Sequence, residues 1–449
     1  MFASFVRLAV LAASTSANAT GKPSVVQCQA TEPYSADGCA SLWGPRPRHN
    51  DPQVVVVSVF KDTHPAEQQR WIEHHLVMGA TAFVLVDNTC DSAKKAATDA
   101  ALSPYVSAGI VSHIKTFRCL DLPNISAFEF PRKEFDCVVA PSRDEVWRAG
   151  WHNASTTRPF ASCESCYDVD PKAAMLSCAL YRLPWLRYMH PASLFVQLDD
   201  DEYVTMPYTS NPNAPRPPPT LQTVAAAMYK ARMCAFPLVW RLFGSSGHVC
   251  QPHGGLVKNF LSRAALPSEV ETPEMIRDMK RLVEWAALNR QNPVFGMAKT
   301  IFLATAIGCN NHICVRCSDD MSCGRDGRHF SKCPTREIFH NESHTTDGHM
   351  NITIENTQLD SRSIYINHYA YQSKQHWAEK KARGRTAAYH AHRGGDVHPH
   401  YDLVPDHVGW RSLKARVYSL RGKRLRKCVA EMMGLPSRWT TSTGQKFND

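Results

Sequence analysis

Four consecutive carboxylates, Asp199-Asp200-Asp201-Glu202, follow directly on the apolar run Leu194-Phe195-Val196-Gln197-Leu198. Adjacent acids cannot all stay buried and ionised without a counter-charge. The apolar run reads as a buried strand, so the pattern predicts a strand that carries the acids to the rim of a sheet. A hard cation there, Mn²⁺ or Mg²⁺, takes carboxylate oxygens and is often shared with substrate phosphates. Alternate residues of a strand share a face, which aims Asp199 and Asp201 at one ion and Asp200 elsewhere. The competing expectation is a solvated acidic turn.

The elements that would position these acids are legible upstream. Val54 to Phe60 is a continuous run of the kind buried on both faces of a sheet. Pro65 to Gly79 has Trp71, Ile72, His75 and Leu76 at helical spacing and a glycine stop. Ala82 to Val86 is a second buried strand, and strand, helix and strand make a βαβ unit with a parallel sheet. Ligands of such sheets bind beyond the carboxyl ends of the strands, where Lys61, Asp62 and Asp87 fall. A further strand is expected at Ile110–Ile114 and a helix at Ala173–Tyr188. A helix is expected at Leu221–Arg232, then a strand at Ala235–Arg241. A charged helix over 267–290, a last strand at Ser363–Ile366 and a basic helix over Ser373–Arg385 complete the reading. The loop Phe243-Gly244-Ser245-Ser246-Gly247-His248 lacks dinucleotide or P-loop spacing. Its glycines let backbone approach a ligand closely. Trp240 and Phe243 supply flat faces that suit sugar rings, or a core.

At 449 residues, 43% hydrophobic and 20% charged, the chain has the composition of a globular protein with a large core. Its formal charge of +10 is concentrated late, in Arg411–Lys427. Such a run meets nucleic acid, anionic lipid or acidic polysaccharide, or is a solvated tail, the expectation favoured here. The start, MFASFVRLAVLAASTSANA, has one arginine, a short apolar core and small residues at a cleavage-like site. It is far shorter than the roughly 20 residues that span a bilayer, so residues 1–19 read as a signal peptide, or as a short signal-anchor giving membrane association. Sixteen cysteines, with sequons at Asn124, Asn153, Asn341 and Asn351, agree on the secretory pathway and on disulfides. Cys314-x-x-Cys317, inside a cysteine-dense stretch over 309–333, fits a disulfide in an oxidising lumen or the start of a zinc site.

These motifs, in this order, resemble glycosyltransferase family 92, a GT-A-fold group that includes galactan synthases and galactosyltransferases. The resemblance rests on Trp71-Ile72-Glu73-His74-His75 with Gly79, Asp87-Asn88, Cys178, and Asp199-Asp200-Asp201-Glu202-Tyr203. It continues through Phe243–His248, Lys299-Thr300-Ile301, and Ile366-Asn367-His368-Tyr369 with Lys380, Arg383 and Gly384. Phe60-Lys61-Asp62 departs from the family's Arg-Asn-Glu, and the 267–290 helix and the cysteine-rich insert are additional. The resemblance implies an α/β fold with a Rossmann-like mixed sheet of GT-A type flanked by helices. The domain order is a stem over 20–50, a catalytic domain over 51–395 and a basic extension over 396–449. It implies metal-dependent, inverting transfer of a sugar, galactose foremost, from a UDP-sugar to a glycan or glycoprotein acceptor in the Golgi lumen, with no nucleic-acid partner.

On that reading Asp199, Asp201 and His368 hold Mn²⁺ or Mg²⁺, His368 otherwise being a structural histidine near Tyr369. Lys61, Asp87, Asp200, Lys374 and Lys380 contact the donor. Trp240 and Phe243 to His248 face the acceptor. The general base for the acceptor hydroxyl is unidentified, with Glu269, Glu271, Glu274 and His248 as candidates. Glu73 and His75, inside the first helix, are expected to be structural. Two other classes compete. One is a catalytically degenerate, glycan-binding luminal protein. The other is metal-dependent phosphoryl transfer on nucleic acid, which the secretory signals and the absence of a second acidic cluster on a neighbouring strand disfavour.

Overall fold

The computed structural model describes residues 38–44, 51–60, 62–87, 89, 92–115, 189–208, 219–230, 235–264, 298–304, 351–354, 357–360, 363–382 and 399–436. The expected helices over 173–188 and 267–290 and the cysteine-dense stretch over 309–333 lie outside them. So do residues 1–37, Lys61, Cys178, Glu269, Glu271 and Glu274.

The chain builds a mixed α/β fold. The strands are β1 (Val54–Phe60), β2 (Ala82–Asp87), β3 (Val111–Lys115), β4 (Leu194–Gln197), β5 (Glu202–Thr205), β6 (Ala235–Leu242), β7 (Ser262–Arg263), β8 (Ala298–Leu303), β9 (Asn351–Ile354), β10 (Thr357–Asp360), β11 (Tyr365–His368) and β12 (Val404–Pro405). The α-helices among the described residues are α1 (Pro65–Val77), α2 (Ser92–Ser107), α3 (Leu221–Lys230), α4 (Leu256–Asn259), α5 (Lys374–Ala382), α6 (Val408–Ser419) and α7 (Lys423–Met432). One largely parallel sheet has the order β3-β2-β1-β4-β8-β6-β11-β5.

Every residue of β1 is buried, as its unbroken apolar run requires, because it lies between β2 and β4 and pairs in parallel with both. In α1, Pro65 opens the first turn, where its missing N–H costs nothing, and the His64 ring accepts from the Ala66 amide. Gly79, at φ +97°, ends it, with the Ala80 amide closing back on His75 O at 2.8 Å.

Direction within the sheet fixes the site. β8 is antiparallel to both β4 and β6, so β6 runs the same way as β4, and β11 runs parallel to β6. The carboxyl ends of β1, β2, β4, β6 and β11 therefore share one edge. The antiparallel strands β8 and β5 begin at that edge, which brings Lys299 and Glu202 to it. Strand order reverses between β1 and β4, the crevice where ligands of open α/β sheets bind.

Two expectations are corrected. Strand β4 stops at Gln197, and residues 199–201 form a turn into β5 rather than a strand end with alternating faces. The amide of Glu202 donates to Asp199 O at 3.1 Å, and the amide of Asp199 donates to Glu202 Oε2 at 2.8 Å, closing that turn on itself. The basic run Arg411–Lys427 is not a solvated tail. It spans most of α6 and the start of α7, and Leu413 and Val417 within it join the main core, as do Val429 and Ala430 just after it. Arg416, also within the run, is buried and donates to Pro219 O at 2.6 Å and Met206 O at 3.0 Å. A disulfide between Cys39 and Cys428 ties the segment ahead of β1 to α7.

Candidate metal and nucleotide site

Strand pairing explains how distant residues meet. β11 lies antiparallel to β5, with His368 opposite Glu202, and the Tyr369 amide donates to Asp201 O at 2.8 Å. His368 Nε2 comes to 3.4 Å from Asp201 Oδ1. The Lys380 ammonium, reaching back from α5, donates to Asp201 Oδ2 and to Ala370 O, the latter at 3.1 Å. Burial pushes the Asp201 carboxyl up, but the Lys380 ammonium and the His368 ring outweigh it and hold it well below the usual carboxylate range. Asp201 Oδ1 is buried with no hydrogen-bond donor among the described residues. An ionised oxygen in that position, beside an imidazole, fits a hard or borderline divalent cation.

Asp199 is partly exposed and lies 3.0 Å from the ammonium of Lys299, which is also 3.5 Å from Glu202 Oε2. Lys299 is fully buried. Lys299 is a motif residue in the sequence, and only the fold brings it into the site. The signal was a lysine near the start of a strand that ends in the apolar run Ile301 to Leu303, since an interior lysine needs a carboxylate. Glu202 was likewise unassigned. Burial pushes its carboxyl up to about 7, against the pull of Lys299.

Asp200 points toward the connection between β1 and α1, where it accepts from the Thr63 hydroxyl. Asp87, at the end of β2, is buried and accepts from the Thr89 amide at 2.7 Å. His113 on β3 is 3.5 Å from Asp87 and 3.6 Å from Asp99, which also pairs with Lys115 at 2.7 Å. Burial raises the Asp87 carboxyl, but the bonds from His113 and Thr89 hold it below its ordinary value. Asp87, Asp99 and His113 offer ligand atoms within 4.8 Å of one another and could take a cation; among the described residues no other three such side chains come so close, so Asp199 does not join Asp201 and His368 at that distance. Contrary to the expectation that there is no second acidic cluster, two neighbouring strands and α2 assemble one.

The glycine loop follows β6 at the same edge. The Phe243 amide donates to His368 O at 2.9 Å, and Trp240 packs its ring 4.3 Å from that of His368. What Gly244 approaches so closely is the protein's own Asp402. A Cβ on Gly244 would stand 2.4 Å from Asp402 Oδ1 and 2.7 Å from Tyr401 O. The same carboxylate accepts from the amides of Ser245 and Ser246, at 3.1 and 2.7 Å, and from the Ser245 hydroxyl at 2.9 Å. Phe243 is core. Gly247 faces open space. His248 Nε2 lies 3.1 Å from Asn259 O, a contact in which that nitrogen donates, leaving Nδ1 as the basic atom. Lys374 is exposed at the start of α5, where its amide donates to His248 O at 3.1 Å.

The Trp71–His75 segment is structural support. β5 is the edge strand, and α1 covers its outer side. Trp71 Nε1 donates to Glu202 O at 2.9 Å, and His74 Nε2 lies 2.8 Å from Val204 O. The Val204 amide faces His75 Nε2 at 3.3 Å. Burial lowers the basicity of both rings, His74 to about 4. Neutral rings suit these contacts: Nε2 of His74 donates, Nε2 of His75 accepts. Glu73 faces the other way, accepting from Trp43 Nε1 and the Tyr105 hydroxyl, each at 2.7 Å.

No helix among the described residues is long and apolar enough to cross a membrane. Comparison of the chain with protein-family models, with curated proteins and with solved structures finds no match.

Proposed function

We propose that the chain is a divalent-cation-dependent, inverting glycosyltransferase of GT-A architecture, with galactose from UDP-galactose as the leading donor and a luminal glycan or glycoprotein as acceptor. One observation carries the reading: Asp201 and His368 stand 3.4 Å apart at the carboxyl edge of the sheet, with Asp199 two residues earlier on the same turn, paired to Lys299. When bound by Asp199, Asp201 and His368, Mn²⁺ or Mg²⁺ would neutralise charge gathering on the leaving diphosphate.

The chain's own groups do the rest. Asp201 stays ionised at neutral pH because Lys380 and His368 face it. Asp87, at the end of β2, is set to accept from the nucleotide. Trp240 offers a flat, half-buried face next to His368 for a sugar ring. Within Phe243–His248, only Ser246, Gly247 and His248 are more than slightly exposed, so acceptor contacts fall to them. Inversion needs a base for the acceptor hydroxyl, and Nδ1 of His248 is the described candidate.

The expected result is Mn²⁺-dependent release of UDP from UDP-galactose, raised by acceptor. Asp201→Asn should keep its circular dichroism spectrum and lose turnover by about a hundredfold or more. Wild-type-like turnover in that variant would remove Asp201 from the chemistry.

The Asp87–Asp99–His113 group favours a second reading, metal-dependent phosphoryl transfer using two acidic clusters. Cation-dependent hydrolysis of a nucleic acid, with UDP-galactose untouched, would select it over sugar transfer.

A further inference from the structure

We propose that Lys380 is a tethered substitute for the divalent cation: its ammonium holds the Asp201 carboxylate until metal and nucleotide arrive together, and then moves to the diphosphate. This rests on the reading of the acidic turn as a metal and nucleotide seat. Asp201 is buried, and its two oxygens face different partners, Oδ2 the Lys380 ammonium and Oδ1 the His368 ring. The ammonium therefore lies against the carboxylate that a cation would claim.

The two lysines at the acidic turn differ in a way that assigns their roles. The Lys299 side chain is 1% exposed and contacts both Asp199 and Glu202, so it is a permanent counter-charge. The Lys380 side chain is 23% exposed and arises from a helix whose neighbouring residues, Ala378 and Glu379, face solvent. Its second hydrogen bond is to a backbone carbonyl, Ala370 O. The start of α5 is held by the loop after β6, with the Gln375 amide donating to Val249 O at 2.9 Å and the Gln251 amide donating to Gln375 Oε1 at 3.0 Å. The helix thus stays in place while the four-carbon stem of Lys380 swings.

The exchange puts a divalent cation where a monovalent ammonium stood and breaks no covalent bond. A cation arriving alone must displace the ammonium into water. A cation arriving with a nucleoside diphosphate leaves the ammonium an anionic partner. Metal and nucleotide therefore each raise the other's affinity, by one common factor.

Calorimetric titration of the full chain tests this, using Mn²⁺ alone, UDP alone and each in the presence of the other. Wild-type protein should bind Mn²⁺ more tightly when UDP is present, by about tenfold. Lys380→Met should bind Mn²⁺ alone about fivefold or more tighter than wild type, bind UDP with Mn²⁺ more weakly, and lose most of the coupling. Lys380→Gln, which keeps a polar tip, should behave likewise and serves if the Met variant unfolds. Loss of a merely structural contact would not tighten metal binding. Unchanged or weaker Mn²⁺ affinity in folded Lys380 variants overturns the proposal, as does wild-type binding without coupling. Asp201→Asn should abolish Mn²⁺ binding; wild-type affinity there would overturn the seat itself, a failure distinct from that of Lys380 alone.

Discussion

The Lys299 ammonium sits in the interior between two carboxylates, and that placement makes it the most consequential single charge beneath the acidic turn. Removing one member of a buried ionic group leaves the others uncompensated, at a cost of about 3–5 kcal/mol. Lys299→Met should therefore lower stability by about that amount in denaturant unfolding at pH 8. The loss should shrink at pH 5. Glu202 in the folded chain is pushed up to about 7, so in acid it is protonated and needs no counter-charge. A pH-independent loss would mean that the lysine acts through packing alone. At this scale the sequence was partly readable. The acidic run marked a seat that needs counter-charge, and lysine and histidine motifs marked its neighbours. Which acid takes which partner was not readable, because Asp199 and Lys299 are 100 residues apart and nothing local couples them.

At the scale of elements, α1 is the joint between the site and the rest of the molecule. One side of it holds the edge strand β5, through Trp71, His74 and His75. The other holds residues 38–44 and α2, through Glu73. Burial pushes the Glu73 carboxyl up to about 7, against the donors Tyr105 and Trp43. A carboxyl whose folded pKa exceeds its unfolded value, about 4.5, binds more protons folded than unfolded between those limits. Its contribution to stability is thus fully present below about pH 4.5 and is lost as pH rises through about 7. Glu73→Gln should flatten that dependence, being more stable than wild type at pH 8 by on the order of 2 kcal/mol and near equal at pH 5. Chemical denaturation across that range is the check, and parallel profiles for the two proteins would count against the assignment. The helix itself was legible, from Pro65 to Gly79. That its histidines serve a strand edge was not, because a periodicity shows which face is covered and not by what.

At the scale of the whole molecule, the Cys39–Cys428 bond joins residues 389 apart and clips the start of the described chain onto its last helix. Closing so long a loop stabilises chiefly by restricting the unfolded chain, by about 2–5 kcal/mol. The double variant Cys39→Ser, Cys428→Ser should show a lower Tm. It should also show faster amide exchange over 38–44 and α7, with β1 and β2 still protected. Equal exchange in the two proteins would show that packing of Trp43 and Val429 alone holds the ends.

What the sequence by itself determined was whatever is written in local pattern. The unbroken runs of β1 and β2 require burial on both faces, the intervening helical spacing makes a parallel pair, and four acids after an apolar run must lie at a rim. Tertiary structure decided the rest. It made the acids a turn rather than a strand end, turned the basic run into core-packed helices, and gave Gly244 an Asp402 to approach. It also brought Asp99 and His113 to Asp87. The physical reason is the same throughout. Burial is recorded in the type of each side chain, whereas partnership between residues a hundred or more apart is set by strand order and register, which no short stretch of chain contains.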